Sequence, residues 1–282
     1  MKTRVGLVAL LSIAMLGAYV RAQFGDKPAA LDTIKVKDDL FVIHNDFVPG
    51  NTTVLVTNQG VVLVDDKFEI DHENIMAQLK KITNQPVKYV INTHYHADHS
   101  GGNAKLQALN AQVITSQQAR DKMVEVKQSG QANVTLENSV RLFLGGKRIE
   151  VYRFGRAHTD GDIVVLFPDH RVLSAGDMFT FGDATPQLID YAGGGSARDW
   201  TGTLDGALKL DFDQVVPGHG LVTTKQEMRK FRDSTVTLRT KVHDMIAQKK
   251  TKAEIEKMLR SDFKFADLHI QRSLDGLMLE LQ

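Results

Sequence analysis

Three histidines and an aspartate fall within six residues of the run Thr93-His94-Tyr95-His96-Ala97-Asp98-His99-Ser100-Gly101-Gly102. Crowding three imidazoles and a carboxylate this closely carries a heavy desolvation penalty unless a cation shares the space. A metal centre is the economical reading. In an extended or looped backbone His94 and His96 point the same way, whereas Asp98 and His99 can turn toward a second point nearby. That arrangement suits two ions rather than one. Three further side chains complete a ligand set: His158 in Gly155-Arg156-Ala157-His158-Thr159-Asp160-Gly161-Asp162, Asp177 in Ser174-Ala175-Gly176-Asp177, and His219 in Val216-Pro217-Gly218-His219-Gly220. Singly, each has an ordinary structural reading as a turn histidine, a cap or part of a tight turn. Together they recur in the order cluster, His, Asp, His, each after a strand-like run, and so converge on one sheet edge.

Those runs are legible in the apolar pattern. Ile34 to Val36, Leu40 to Ile43, Thr53 to Val56 and Val61 to Val64 are short, β-branched and bounded by turn residues such as Asn58-Gln59-Gly60, the mark of an antiparallel meander. Asp71 stands where it could cap a helix carrying Ile75, Leu79 and Ile82 on one face, and Val87 to Ile91 resumes as a buried strand that leads into the histidine cluster. The scheme repeats after Val140 with Ile149 to Tyr152, Ile163 to Phe167, a turn at Pro168-Asp169-His170, Val172-Leu173, a helix near Asp199 to Leu210, and Gln214 to Val216. From about residue 225 the chain turns helical, with Met228, Phe231, Leu238, Val242 and Met245 on one face. Two mixed sheets packed face to face with helices outside account for this order. The charges of 225–260 interleave with that apolar stripe and read as a solvated outer surface.

The 282 residues are 42% hydrophobic and 24% charged, a balance that supports a sizeable core. With no cysteine in the chain, a disulfide framework, a thiolate ligand and a cysteine nucleophile are all ruled out. The 35 basic and 34 acidic residues leave no basic footprint for nucleic acid. Lys2 and Arg4 precede an apolar stretch from Val5 to Val20, followed by Val20-Arg21-Ala22, the layout of a secretory signal cleaved after Ala22. The stretch is shorter than the ~20 apolar residues that span a bilayer. Cleavage leaves 32 basic against 34 acidic residues, so the expectation is one domain over residues 23–282, periplasmic or secreted, without stable membrane association, as a monomer or small homo-oligomer.

His94-x-His96-x-Asp98-His99, Ala157-His158-Thr159, Gly176-Asp177 and Pro217-Gly218-His219-Gly220 resemble the metal-ligand motifs of the metallo-β-lactamase superfamily, across roughly Ile34 to Val222. The resemblance implies a four-layer αββα sandwich and a dinuclear zinc-dependent hydrolase, iron or manganese being the alternative ions. On the matching positions His94, His96 and His158 would hold one zinc, Asp98, His99 and His219 the other, and Asp177 would bridge them. Asp65 would support the ligands from behind.

A water shared by two zinc ions about 3.5 Å apart has its pKa lowered to about 7, which supplies a hydroxide for attack on a carbonyl without any side-chain nucleophile. Asp98 then both ligates and carries the proton to the leaving group. The segment His44 to Gly50 resembles a loop that closes over substrate, with Phe47 as its apolar contact, and Tyr191, in the polar loop Asp183 to Ser196, is expected on the opposite wall. The best-known zinc β-lactamases carry cysteine where Asp177 stands, whereas a bridging aspartate is what lactonases and thioesterases of the same fold have. An exported enzyme meets β-lactams, which favours these narrowly as substrates over lactones and thioesters. A mononuclear iron persulfide dioxygenase and a non-catalytic exported metal-binding protein are the other readings. His72, His170, His243 and His269, in helix or turn contexts, are expected at the surface.

Overall fold

The computed structural model describes residues 27–46, 48–182 and 188–282; the signal segment and Phe47 lie outside these. Strands β1 (Asp32–Lys35), β2 (Leu40–His44), β3 (Thr52–Thr57) and β4 (Gly60–Val64) form the antiparallel meander. Helix α1 (His72–Ile82) leads to β5 (Val87–Ile91), and two short helices, α2 (Ala97–Ser100) and α3 (Asn103–Ala108), follow. Next come β6 (Gln112–Ser116), α4 (Gln117–Glu125) and β7 (Val134–Leu136), elements that the apolar pattern alone had not marked. β4 to β7 run parallel, which completes a seven-stranded mixed sheet in the order β1 to β7.

The second sheet holds β8 (Ser139–Leu144), β9 (Lys147–Tyr152), β10 (Val164–Phe167), β11 (Val172–Ser174), β12 (Gln214–Val216) and β13 (Thr223–Thr224), ordered β13-β12-β11-β10-β9-β8. Only β11 and β12 pair in parallel; the helix α5 (Ala197–Ala207) lies in the crossover between them. The chain ends in α6 (Lys225–Ala247), α7 (Lys252–Phe263) and α8 (Asp267–Glu280).

Burial explains the layering. β4 is apolar and buried along its whole length because both of its faces are covered, whereas the edge strand β8 alternates exposed and half-buried residues. Val62, Val64, Ile91 and Ile114 of the first sheet meet Ile149, Val165, Phe167 and Val172 of the second in a central core. Val61, Leu63, Val90 and Val113 turn outward onto Ile75 and Leu79 of α1, Leu106 of α3 and Met123 of α4. On the far side Val164, Leu166, Leu173 and Val215 pack on Trp200, Leu204, Leu238 and Leu277. Each such side chain contributes roughly 1.5–3 kcal/mol of burial, and three separate cores mean four layers, helix, sheet, sheet, helix.

Some local expectations fail. Asp71 does not cap α1: its Oδ1 accepts from the Ala29 amide at 2.7 Å, pinning the segment before β1. His72 is buried rather than at the surface. His170 is also largely covered, in an ion pair with Asp39, which Lys147 joins at 2.5 Å. No helix among the described residues is long and apolar enough to cross a membrane.

Candidate metal centre

All seven motif residues meet at one end of the two sheets. The ligand atoms of His94, His96, His158 and Asp177 lie within 4.8 Å of one another, and so do those of Asp98, His99 and His219. The histidine cluster sits after β5, with Asp98 and His99 on the single turn α2, where their ligand atoms join that of His219, while the His99 ring still lies 4.3 Å from that of His94. Asp177 belongs to both groups: its Oδ2 is 3.6 Å from His158 Nε2, while its Oδ1 is 3.2 Å from His99 Nε2 and 3.3 Å from His219 Nε2. The turn that presents it needs Gly176, whose φ of 51° is left-handed and where a Cβ would run into the Thr93 side chain.

Hydrogen bonds behind the rings fix which nitrogen faces inward. Asp65 itself adopts a left-handed φ of 63°, a strained conformation that turns its carboxylate out of the line of β4. Its Oδ1 accepts from the Thr93 amide at 2.7 Å; its Oδ2 accepts from the Thr93 hydroxyl and from His99 Nδ1, each at 2.8 Å. Because the Thr93 hydroxyl donates to Asp65, it must accept from His94 Nδ1 at 3.1 Å. His158 Nδ1 donates to the Leu188 carbonyl at 2.7 Å, and His96 Nε2 donates to Asp190 Oδ2 at 2.8 Å. The nitrogens left over are His94 Nε2, His96 Nδ1, His158 Nε2 and His99 Nε2, all on the inner side. His96 Nδ1 and His158 Nε2 are 3.0 Å apart.

The chemistry of this donor set fits transition ions. His94 Nε2 is fully buried with no hydrogen-bond partner among the described residues, and an orphaned buried nitrogen is costly without a cation. Burial, with His99 and His96 alongside, holds the His94 pKa well below its ordinary value, so the ring is neutral and a competent ligand. Burial opposes ionisation of Asp177 too, but His219 and His99 outweigh it and keep the carboxyl well below the usual range. Conversely, burial disfavours charge on His99, yet Asp177, Asp98 and Asp65 raise its pKa well above normal. Protons therefore compete with a metal ion at His99.

Of the flanking residues named from the sequence, Asp65 lies behind Thr93 and His99. Tyr191 does not face the ligands: its hydroxyl donates to Glu280 Oε2 at 2.7 Å and its ring packs on α8. The length and polarity of its loop suggested a pocket wall, but an amphipathic helix far along the chain claims the ring. The segment 183–187 is outside the described residues, as is Phe47. The neighbouring loop residues are well anchored. His44 Nδ1 bonds Asn51 Oδ1 at 2.9 Å, and Asn51 Nδ2 donates to the Pro217 and Gly220 carbonyls at 2.9 and 2.8 Å.

Three contributors escape sequence reasoning: the Leu188 carbonyl, Asp190, and the buried Lys67, whose ammonium donates to Asn45 Oδ1 at 2.8 Å and to the Gly50 carbonyl at 2.5 Å. A backbone oxygen carries no sequence signal at all. Asp190 and Lys67 lack a motif; only an unexpected charge inside an apolar or loop segment hints at them.

A model of the metallo-beta-lactamase superfamily matches residues 45–219. The chain is 28% identical over 227 residues to a metallo-beta-lactamase type 2 of Elizabethkingia meningoseptica, covering 77% of this chain and 88% of that protein. To metallo-beta-lactamase IND-1 of Chryseobacterium indologenes it is 28% identical over 214 residues, covering 73% and 87%. Among solved structures, a metallo-beta-lactamase from Pontibacter korlensis superposes with a TM-score of 0.66 at 22% identity, over 73% of this chain and 99% of that one. The DIM-1 metallo-beta-lactamase superposes at 0.65 with 23% identity, over 74% and 98%.

Proposed function

The chain belongs to the metallo-beta-lactamase superfamily, and on that premise we propose that it is a dinuclear zinc-dependent hydrolase acting on a carbonyl substrate, a β-lactam narrowly favoured. The observation that carries this reading is the pair of ligand groups joined through the two oxygens of Asp177. Six nitrogens and oxygens besides that bridge exceed what one tetrahedral zinc accepts. Zinc, when bound, supplies Lewis acidity and lowers the pKa of water toward 7.

The protein's own residues do the rest. Asp65, Asp190 and the Leu188 carbonyl lock the imidazoles in the tautomer that aims the free nitrogen inward. Asp98, the most exposed of the seven ligand side chains, has Oδ2 3.4 Å from His219 Nε2 and 3.5 Å from His99 Nε2. It therefore reaches both the ligand cluster and the entering substrate, and it is the group placed to carry a proton to the departing nitrogen or oxygen. Lys67 ties the Asn45 side chain to the Gly50 carbonyl, and so holds Gly50 beside His99. Buried His72 and half-buried His170 lie outside the two ligand groups.

The relatives named metallo-beta-lactamases support the β-lactam. A lactone or thioester is the second reading, favoured by Asp177 itself, because a carboxylate shared between two ions tempers their acidity and suits better leaving groups. The deciding measurement is kcat/KM of the dizinc protein on nitrocefin, a carbapenem, an acyl-homoserine lactone and an acyl thioester. The expected result is β-lactam turnover at least matching the others. A lactone or thioester turned over on the order of a hundredfold better than every β-lactam, about 2.7 kcal/mol of transition-state binding, overturns the choice. We also propose that the protein is exported and cleaved after Ala22, as a single domain over residues 23–282. N-terminal sequencing of protein from the periplasm or medium should begin at Gln23, and an intact Met1 in the membrane fraction overturns it.

A further inference from the structure

We propose that the C-terminal helix α8, which lies outside the residues matched by the family model, is the positioning element for the His94, His96 and His158 group, acting through the segment 188–198. This rests on the reading of that group as a metal site.

The segment supplies the outer partner of two of the three imidazoles. Leu188 gives its carbonyl to His158, and Asp190 gives Oδ2 to His96 at 2.8 Å and to the Tyr95 hydroxyl at 2.6 Å. Backbone bonds from the Asp190 amide to the His158 carbonyl and from the Ser196 amide to the Ala157 carbonyl, each at 2.9 Å, tie the stretch to the His158 loop, and one face of α8 holds it from the other side. Ser273 Oγ donates to the Ile189 carbonyl at 3.2 Å and lies 3.1 Å from the Ile189 amide, bracketing the residue between the two acceptors. Arg272 Nη1 reaches Asp190 Oδ1 at 3.4 Å, on the oxygen that His96 does not use. One turn on, Gly276 lets the Tyr191 ring lie directly on the helix, where any Cβ would stand 2.6 Å from Cε2. A turn later Glu280 accepts from the Tyr191 and Ser196 hydroxyls and from the Ala197 amide. Residues 272, 276 and 280 repeat at four-residue spacing and so share one stripe of the helix, and this stripe is the one turned to the segment.

Arg272 is more than a tether. Asp190 is buried away from water, and its two oxygens are divided between partners, Oδ1 toward Arg272 and Oδ2 toward His96 and the Tyr95 hydroxyl. Arg272 thereby fixes the carboxylate plane in which Oδ2 meets the ring. A displaced Asp190 would release His96 to the wrong ring orientation, with Nε2 rather than Nδ1 turned inward. The second group, Asp98, His99 and His219, takes its support from Asp65 and should not sense the change.

The test is metal binding to the folded holoprotein, with wild type, Arg272→Met, Arg272→Lys and Ser273→Ala compared. Stepwise zinc affinities come from chelator competition, cobalt(II) spectra follow the two sites, and nitrogen-15 NMR of the histidine rings follows the His96 Nε2 proton. In Arg272→Met, affinity at the three-histidine group should fall about 10- to 100-fold, with the other site unchanged and the His96 Nε2 proton exchanging faster. Arg272→Lys should recover most of the loss, and Ser273→Ala should show it in weaker form should the Met variant not fold. Unchanged affinities and an unchanged ring proton in folded variants overturn the positioning role. Equal weakening of both sites overturns it also, whereas a wild-type protein that binds no ion overturns the metal-centre reading instead.

Discussion

Gly50 and His99 are packed so tightly that a Cβ on Gly50 would stand 2.7 Å from His99 Nε2 and 2.8 Å from Nδ1. The chain can pass this close only because position 50 has no side chain, and it is pinned there by the Lys67 ammonium and by its own amide on the Asp98 carbonyl at 3.2 Å. Gly50→Ala should push the His99 ring off its line, weaken the ion held with Asp98 and His219, and lower kcat by about 100-fold, the usual consequence of misplacing a group by about 1 Å. Elemental analysis and steady-state kinetics check it; two tightly held ions and full activity would show that the loop yields instead.

Asp65→Asn keeps the shape of the side chain but not its acceptors. One oxygen cannot serve the Thr93 amide, the Thr93 hydroxyl and His99 Nδ1 together, and the new amide would face a ring N–H. Metal affinity should drop about 10- to 100-fold, most at the His99 site. Chelator competition measures this directly.

Asp177→Ala removes the only carboxylate among the described residues that lies within 3.6 Å of candidate ligand nitrogens from both groups. The protein should lose its two-ion stoichiometry at limiting zinc and most of its activity, while His94, His96 and His158 retain one ion. A variant that keeps two ions and wild-type kcat would reduce Asp177 to a structural role.

Lys67 carries a pH signature. Burial lowers its pKa from 10.5 to about 7, with Asp71, Asp98 and Asp65 only partly opposing the shift. Between those values the unfolded chain holds a proton that the folded one has given up, so stability rises with pH across that window, by up to about 1.4 kcal/mol per unit. Below about pH 7 both states are protonated and the slope vanishes. The Lys67→Met variant lacks this linkage, so the stability of wild type relative to it should grow by about 2–3 kcal/mol between pH 7.5 and 9.5. Urea denaturation at the two pH values reads the difference, and parallel pH profiles would show that Lys67 stays charged.

Much of the architecture is legible in the chain. The meander of β1 to β4 announces itself through short β-branched runs because one turn signal separates each pair, and α6 shows its buried face at helical spacing. The stretch from β6 to β8 does not, since Gln112–Ser116 and Val134–Leu136 are too short and polar to display a period, and they become strands by pairing with neighbours. Asp71 illustrates the same limit on a single residue: its position suits a helix cap, but a backbone amide forty-two residues away takes the carboxylate.

The sequence by itself singled out the seven candidate ligands, for a physical reason: metal-binding side chains must be of a few types, and His94 to His99 occupy one compact turn where spacing decides direction. The tertiary structure alone decided which of them stand together and what holds them. Asp177 reaches both groups only because β5 and β11, in different sheets, end side by side. His96 is oriented by an aspartate ninety-four residues away, itself met by an arginine eighty-two residues further on. Contacts of that separation leave no local pattern, because each partner is a single polar residue whose neighbours in the chain are chosen for other packing.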